Sequence, residues 1–406
     1  MLFSYVLEHT IRKGSLRLID ARGRERVFGD GSPPSCTVHL HDWRLEYSLV
    51  LNPALRLGEA YMDGTLTIDQ GTLPEVLDIF LRDYANWEHS RLFAAANILQ
   101  RQGRKVRQYN TLGRATRNVA HHYELSKKLY ELFLDRDFQY SCAYFEAPGD
   151  GLEEAQANKK RHIAAKLLLE PGQKILDIGC GWGGLAIYLA KLCDVNVVGV
   201  TLSSEQYKVA NERVIQEGLS GRVQIRCQDY RSETQIYDRI VSVGMFEHVG
   251  KRNYREFFNT VYDLLAKDGV LLLQTIGRYD EPAPVNPFIR KYIFPGTDIP
   301  CLSELFPIIE RTGFVLADLE VLRLHYAKTL HEWHQRFTEN WEKAAELYDD
   351  RFCRMWELYL TSCEMGFRHD GIVVYQIQLS KTKDAVPLTR DYISDWKRKH
   401  GKDVAS

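Results

Sequence analysis

The chain has 406 residues, room for two or three domains of roughly 100–200 residues each. Hydrophobic residues at 45% and charged residues at 26% exclude a wholly disordered, collagen-like or disulfide-scaffold protein. Lys+Arg 53 against Asp+Glu 54 leaves a formal net charge of -1, so global charge does not point to a nucleic-acid partner.

The opening MLFSYVLEHTIRKG places Glu8, His9, Arg12 and Lys13 where a signal peptide needs apolar residues. No apolar run approaches the ~18 residues of a transmembrane helix, so any membrane contact is expected to be peripheral. Residues 1–100 mix short apolar runs with turn signals, Gly29-Asp30-Gly31 and Pro33-Pro34, and read as a smaller α+β domain ending in a helix from about Pro74 to Gln100. Residues 101–120 read as a linker. Within them RQGRKVRQYNTLGRATR carries Arg101, Arg104, Lys105, Arg107, Arg114 and Arg117 and no acidic residue. It is either a solvated basic loop or a docking segment for anionic lipid headgroups.

From 121 to 406 the pattern predicts a Rossmann-like α/β domain, a seven-stranded, mostly parallel sheet with helices on both faces. A helix over 153–169 precedes strand KILDIG, a glycine-rich turn and a helix over 182–193. Strand NVVGVTL leads into a helix from Ser204, with Ser203 and Gln206 at capping-box spacing and Gly218 as its stop. Strands RVQIRCQD, YDRIVSVGMF and GVLLLQTIG follow, the last two separated by a helix over 254–267. A Pro-rich insertion, 278–310 at its widest, interrupts the alternation. Strand FVLADLEVL, helices over 329–347 and 351–367, and strand IVVYQIQLS complete the sheet, and the tail after Ser380 is expected to fray.

The turn Gly179-Cys180-Gly181-Trp182-Gly183-Gly184 satisfies G-x-G-x-x-G when Gly179, Gly181 and Gly184 are counted, so a dinucleotide is one candidate. A dinucleotide site also wants an acidic ribose ligand about 20 residues on, and the strand there ends Gly199-Val200-Thr201. The carboxylate stands before the loop, at Asp177. That arrangement suits S-adenosylmethionine, whose cationic amino-acid end Asp177 can orient. Thr201 and Gln206 can bond the ribose, and Gln228 and Asp229 can meet the adenine. Each residue also has a plain structural role open to it, as turn former, capping partner or loop carboxylate; four at successive strand ends favour the ligand.

At these residues the chain resembles the bacterial cyclopropane-fatty-acyl-phospholipid synthases. The resemblance rests on LDIGCGWGGLA (176–186), VGVTLSSEQ (198–206), QDYR (228–231), DRIVSVGMFEHVG (238–250), YIFPG (292–296) and QYSCAYF (139–145). LGEAYMDG (57–64) favours the two-domain phospholipid enzymes over the related mycolic acid methyltransferases. The resemblance implies a class I methyltransferase domain behind a lipid-binding type of amino-terminal domain, with the insertion shaping a lipid pocket. It implies methyl transfer from S-adenosylmethionine to a cis double bond of a phospholipid acyl chain, then proton loss and closure of a cyclopropane. It further implies a homodimer at the cytoplasmic face of the membrane and no nucleic-acid partner.

Family positions map the cofactor onto Tyr140, Ser141, Asp177, Gly179, Cys180, Gly181, Trp182, Gly183, Thr201, Leu202, Gln206, Gln228, Asp229 and Tyr230. A bicarbonate that collects the proton would be contacted by Cys142, Glu247, the Ile276 backbone and Tyr326. Cys363 matches a cysteine proposed as catalytic in the family, although its helical spacing better suits a buried core thiol. Gln274 stands where many members have His; it can donate to an anion but cannot carry charge. That difference motivates an alternative outcome, a methylene- or methyl-branched chain. The segment 122–127 also departs from the family pattern. A carbocation on the chain would be stabilised by aromatic faces, for which Tyr140, Tyr144, Phe145, Phe246, Tyr292, Phe294 and Trp333 are candidates, each with core packing as its other reading. A catalytically silent binding protein is the rival class; a nucleic-acid methylase is disfavoured because no Asn/Asp-Pro-Pro-aromatic motif is present. The eight cysteines include no C-x-x-C pair or zinc spacing and read as reduced thiols of a cytosolic protein.

Overall fold

The computed structural model describes residues 2–82 and 126–400. The chain forms two compact units that are not contiguous in sequence. Residues 1–107, 283–295 and 330–371 make one; 108–282, 296–329 and 372–406 make the other. The sequence reading instead kept everything from 121 onward together. The basic segment 101–120, the end of the helix expected from Pro74, and residues 122–125 lie outside the described residues.

In the first unit β1 (Ser15–Ile19), β2 (Glu25–Phe28), β3 (Ser35–Leu40) and β4 (Leu66–Gln70) form a sheet in the order β2-β1-β3-β4. Only the β1–β3 pairing is parallel. Helices α1 (Leu2–Thr10), α2 (Leu45–Leu51), α3 (Pro53–Met62) and α4 (Leu73–Arg82) accompany it. Alternation along β1 and β3 turns Leu16, Leu18, Val38 and Leu40 to one face, where Leu7, Leu49 and Ile79 close a core.

The second unit begins with α5 (Lys127–Glu131) and α6 (Leu152–Leu167), followed by β5 (Lys174–Ile178), α7 (Gly184–Leu192), β6 (Asn196–Thr201), α8 (Ser204–Gln216), β7 (Val223–Cys227) and β8 (Tyr237–Val243). Next come α9 (Tyr254–Leu264), β9 (Leu265–Arg278), α10 (Leu302–Thr312) and β10 (Val315–Val321). Helix α11 (His325–Glu339) carries the chain back into the first unit, where α12 (Trp341–Leu347) and α13 (Asp350–His369) lie. Strand β11 (Ile372–Ser380) and α14 (Asp391–Lys399) return to the second. Its sheet runs β10-β11-β9-β8-β5-β6-β7, parallel from β7 to β9 and antiparallel through β11 and β10. The seven expected strands are all present, and the late addition is the antiparallel pair. The order reverses between β5 and β8, which opens a crevice at their carboxyl ends.

Four local expectations change. The helix expected over 329–347 breaks at Asn340, where α11 gives way to α12. Helix α7 starts at Gly184 rather than Trp182, because Gly181 and Gly183 hold positive φ angles of 54° and 81°. Helix α9 stops at Leu264, and the strand begins at once because Leu265 pairs with Tyr237 at the start of β8. As far as His400 the tail is folded: Ile393 is buried and Trp396, one turn on, packs on the α7–β6 core, so α14 folds onto the unit.

Candidate active site

One cavity of the second unit is lined by the ends of β5, β6, β7 and β8, together with residues 138–141. All the expected cofactor residues line it except Gly183, which supports the turn from behind. The turn needs glycine for steric reasons. Gly179 has φ 85°, and a Cβ there would stand 2.8 Å from Met245 Cβ; Gly181 (φ 54°) faces open space that a ligand can enter.

Asp177 is buried, and its Oδ2 has no hydrogen-bond partner. Burial pushes its carboxyl up to about 7, with Lys159 opposing the shift. An orphaned buried acceptor of this kind fits the cationic end of S-adenosylmethionine. Thr201 Oγ1 donates to Gln206 Oε1 at 2.9 Å and accepts from the Ser203 N–H at 3.2 Å, which leaves one Thr201 lone pair to accept and the Gln206 amide to donate to a ribose diol. The capping box is thus half-formed: Ser203 accepts from the Gln206 N–H at 3.3 Å, while the Gln206 side chain turns to Thr201. Asp229 is less available, since Arg231 grips it through Nε at 2.8 Å and NH2 at 2.8 Å. Gln228 donates to Glu233.

None of the six expected catalytic residues lines this cavity. Glu247 comes nearest in sequence, between the lining residues Met245 and His248 on the turn after β8. It is buried; the Ile276 N–H donates to its Oε1 at 2.6 Å, and its Oε2 has no partner. Burial pushes Glu247 up to about 7 despite that hydrogen bond. The Ile276 backbone, expected on a bound anion, is therefore spent on Glu247. Gln274 is buried on β9 opposite Gln376 of β11; it accepts from Gln376 Nε2 at 2.9 Å and donates to the Cys142 carbonyl at 3.4 Å. Its amide is thereby committed to holding the wall at Cys142. The Cys142 thiol donates to the Ala143 carbonyl at 3.3 Å, and burial pushes it well above its usual range, so it stays protonated. Tyr326 is half-buried in the first turn of α11. The same helix anchors the neighbouring wall, His325 Nδ1 accepting from the Phe145 N–H at 3.0 Å and Thr329 Oγ1 from the Ala143 N–H at 3.0 Å.

Cys363 belongs to the first unit, on α13, and burial pushes its thiol up to about 12, a poor nucleophile at neutral pH. Of the aromatic candidates only Tyr140 lines the cavity. Phe246 stacks on Tyr254 in the core, 4.6 Å between centroids, and Tyr144 is sandwiched between His162 and His325. Tyr292, Phe294 and Trp333 belong to the first unit, where Tyr292 donates to Glu59 at 3.0 Å and Trp333 is fully buried. Burial pushes His248, on the cavity wall, down to about 4, so it is neutral. No group of acidic, His and Cys side chains among the described residues has the geometry to hold a metal.

Sequence reasoning missed Gln156 and Lys159. Both are buried on α6, and Lys159 lines the cavity. The available signal was the run Gln156–His162, polar all round on a helix that nevertheless precedes a buried strand.

A family model described as mycolic acid cyclopropane synthetase matches residues 110–377. The cyclopropane-fatty-acyl-phospholipid synthase of Escherichia coli is 41% identical over 330 residues, 81% of this chain and 83% of that protein. A probable fatty acid methyltransferase of Pseudomonas putida is 35% identical over 357 residues, 86% of this chain and 88% of that protein. Among solved structures, the mycolic acid cyclopropane synthase CmaA1 complexed with SAH and CTAB has TM-score 0.62 at 35% identity, covering 65% of this chain and 97% of that one.

Proposed function

The chain belongs to the mycolic acid cyclopropane synthetase family and is an S-adenosylmethionine-dependent methyltransferase; on that footing we propose that it methylates the cis double bond of unsaturated phospholipid acyl chains to form a cyclopropane. The observation that carries this reading is Glu247, a carboxyl buried at a strand end beside the cofactor cavity with one oxygen unpartnered. A methyltransferase acting on an oxygen or nitrogen nucleophile needs no such group for a carbon-bound proton; alkylation of an alkene does.

Bound S-adenosylmethionine supplies the electrophilic methyl. Asp177 would hold its cationic amino group, and Thr201 and Gln206 its ribose; alignment of this kind contributes roughly 7–11 kcal/mol to lowering a barrier. Burial pushes Glu247 up to about 7, the range in which a group that manages a proton near neutrality is most effective. A bicarbonate, which the family resemblance implies, would be held by Tyr326 and by Glu247 Oε2 when that carboxyl is protonated, with the Cys142 thiol, already bonded to the Ala143 carbonyl, only walling the site, and it would supply a small proton acceptor. The same resemblance supports action as a homodimer at the inner membrane face. No helix among the described residues is long and apolar enough to cross a membrane.

The test is to incubate the enzyme with [methyl-¹³C]S-adenosylmethionine and vesicles of cis-unsaturated phospholipid, and then read the lipid by proton–carbon correlation NMR. Labelled ring CH₂ at high field supports the proposal. Labelled olefinic methylene or branched methyl without ring signals would replace it with the branched-chain outcome, and no labelled lipid would refute both.

A further inference from the structure

Helix α6 (Leu152–Leu167) lacks a continuous apolar face, yet Gln156 and Lys159, three residues apart and so on one side of it, are each 1% exposed. Gln156 Nε2 donates to the carbonyls of Gln139 at 3.1 Å and Ser141 at 3.0 Å. That alone fixes the wall containing Tyr140. Lys159 does something more. Its Nζ donates to Gln139 Oε1 at 2.6 Å and Ser141 Oγ at 2.9 Å, both neutral partners, and no carboxylate among the described residues comes within ion-pair distance of it.

Asp135 and Asp137 act on the ammonium only through space, their oxygens being hydrogen-bonded to other groups. Asp135 accepts the N–H groups of Asp137 and Gln139, and Asp137 pairs with Lys160 and Arg213. A buried ammonium with no direct counter-ion is costly unless something supplies the charge. It has three N–H donors, of which two are used. On the same cavity Asp177 keeps a buried acceptor of opposite charge, Oδ2, without a partner.

We propose that Lys159 is a cofactor-binding residue: its open N–H receives the carboxylate of an α-amino-carboxylate ligand whose ammonium sits on Asp177. This rests on the reading of the cavity as an S-adenosylmethionine site and deepens it, since it makes the site selective for the intact zwitterion over ligands that lack the carboxylate. Lys159 remains largely protonated near neutrality, burial lowering it only to about 8.

The experiment is calorimetric titration of the full chain with S-adenosylhomocysteine and with its decarboxylated analogue, which keeps the adenosine, thioether and amine. The wild type is expected to prefer the carboxylate-bearing ligand by about 10- to 100-fold, the range of a charge-assisted hydrogen bond. Lys159→Met should remove that preference, weakening S-adenosylhomocysteine while leaving the analogue within about threefold. Equal losses for both ligands would overturn the proposal, because a residue that only clamps Gln139 and Ser141 cannot sense the carboxylate. A wild type with no preference would also overturn it. Lys159→Gln, read in the same way, replaces the Met variant should that one not fold. Failure of the wild type to bind either ligand would instead refute the cofactor reading itself.

Discussion

Replacing Glu247 by Gln keeps the shape of the side chain and an oxygen to accept the Ile276 N–H, but removes the ionisation. Burial pushes the Glu247 carboxyl up to about 7 from its ordinary 4.5, so ionising it penalises the native state. That penalty is absent below about pH 4.5, grows through the window between the two values, and levels off above about 7. At 1.36 kcal/mol per unit, the penalty grows by roughly 2–3 kcal/mol between pH 5 and pH 8. Glu247→Gln should therefore gain that much stability relative to wild type on going from pH 5 to pH 8, read from urea unfolding of both proteins at both pH values. Asp177, which has a shift of the same sign, is common to the two proteins and cancels in the comparison. The same variant should lose about 10²–10⁴-fold in turnover, the usual contribution of a positioned proton-handling group. A flat stability difference across pH would refute the buried, high-pKa carboxyl. Unchanged turnover would refute its part in proton removal.

The cavity makes further predictions. Below pH 7 Asp177 must lose a proton to receive a cation, so S-adenosylhomocysteine affinity should rise about tenfold per pH unit up to about 7; calorimetry on Asp177→Asn should show weaker binding with that slope gone. Gly179→Ala places a Cβ 2.8 Å from Met245 Cβ at φ 85° and should lower stability by about 1–3 kcal/mol, checked by urea unfolding, with cofactor affinity falling as well. Cys363→Ala should leave kcat within about twofold, because a thiol held near 12 is protonated and the direct transfer needs no covalent intermediate. A loss beyond tenfold would restore the nucleophile reading.

Much of the fold was legible because its signals are local. Short apolar runs alternating with helical periods, glycine at the first turn and an acid before it are consequences of nearest-neighbour chemistry, and they placed seven strands and many residues that line one cavity. Helix ends were less legible: a strand partner, Tyr237, decided where α9 gives way to β9, and no neighbour in sequence announces it. The tail departs from expectation because its charge masks Ile393, which is buried, and Trp396, which packs on a core assembled from residues far earlier in the chain.

Side-chain commitments could not be read from the chain at all. Gln274 invited a role at a bound anion, but its amide is engaged by Gln376 and Cys142; the Ile276 N–H, likewise, belongs to Glu247. Lys159 is a charge on a polar helix whose burial only the fold reveals. Residue types and spacing determined which chemistry this protein could hold, because turns, caps and periodicity act over a few residues. Which donors are spent, which carboxyls stay unpartnered and how far burial shifts them were decided by tertiary packing, since desolvation and hydrogen-bond pairing depend on neighbours that only folding brings together.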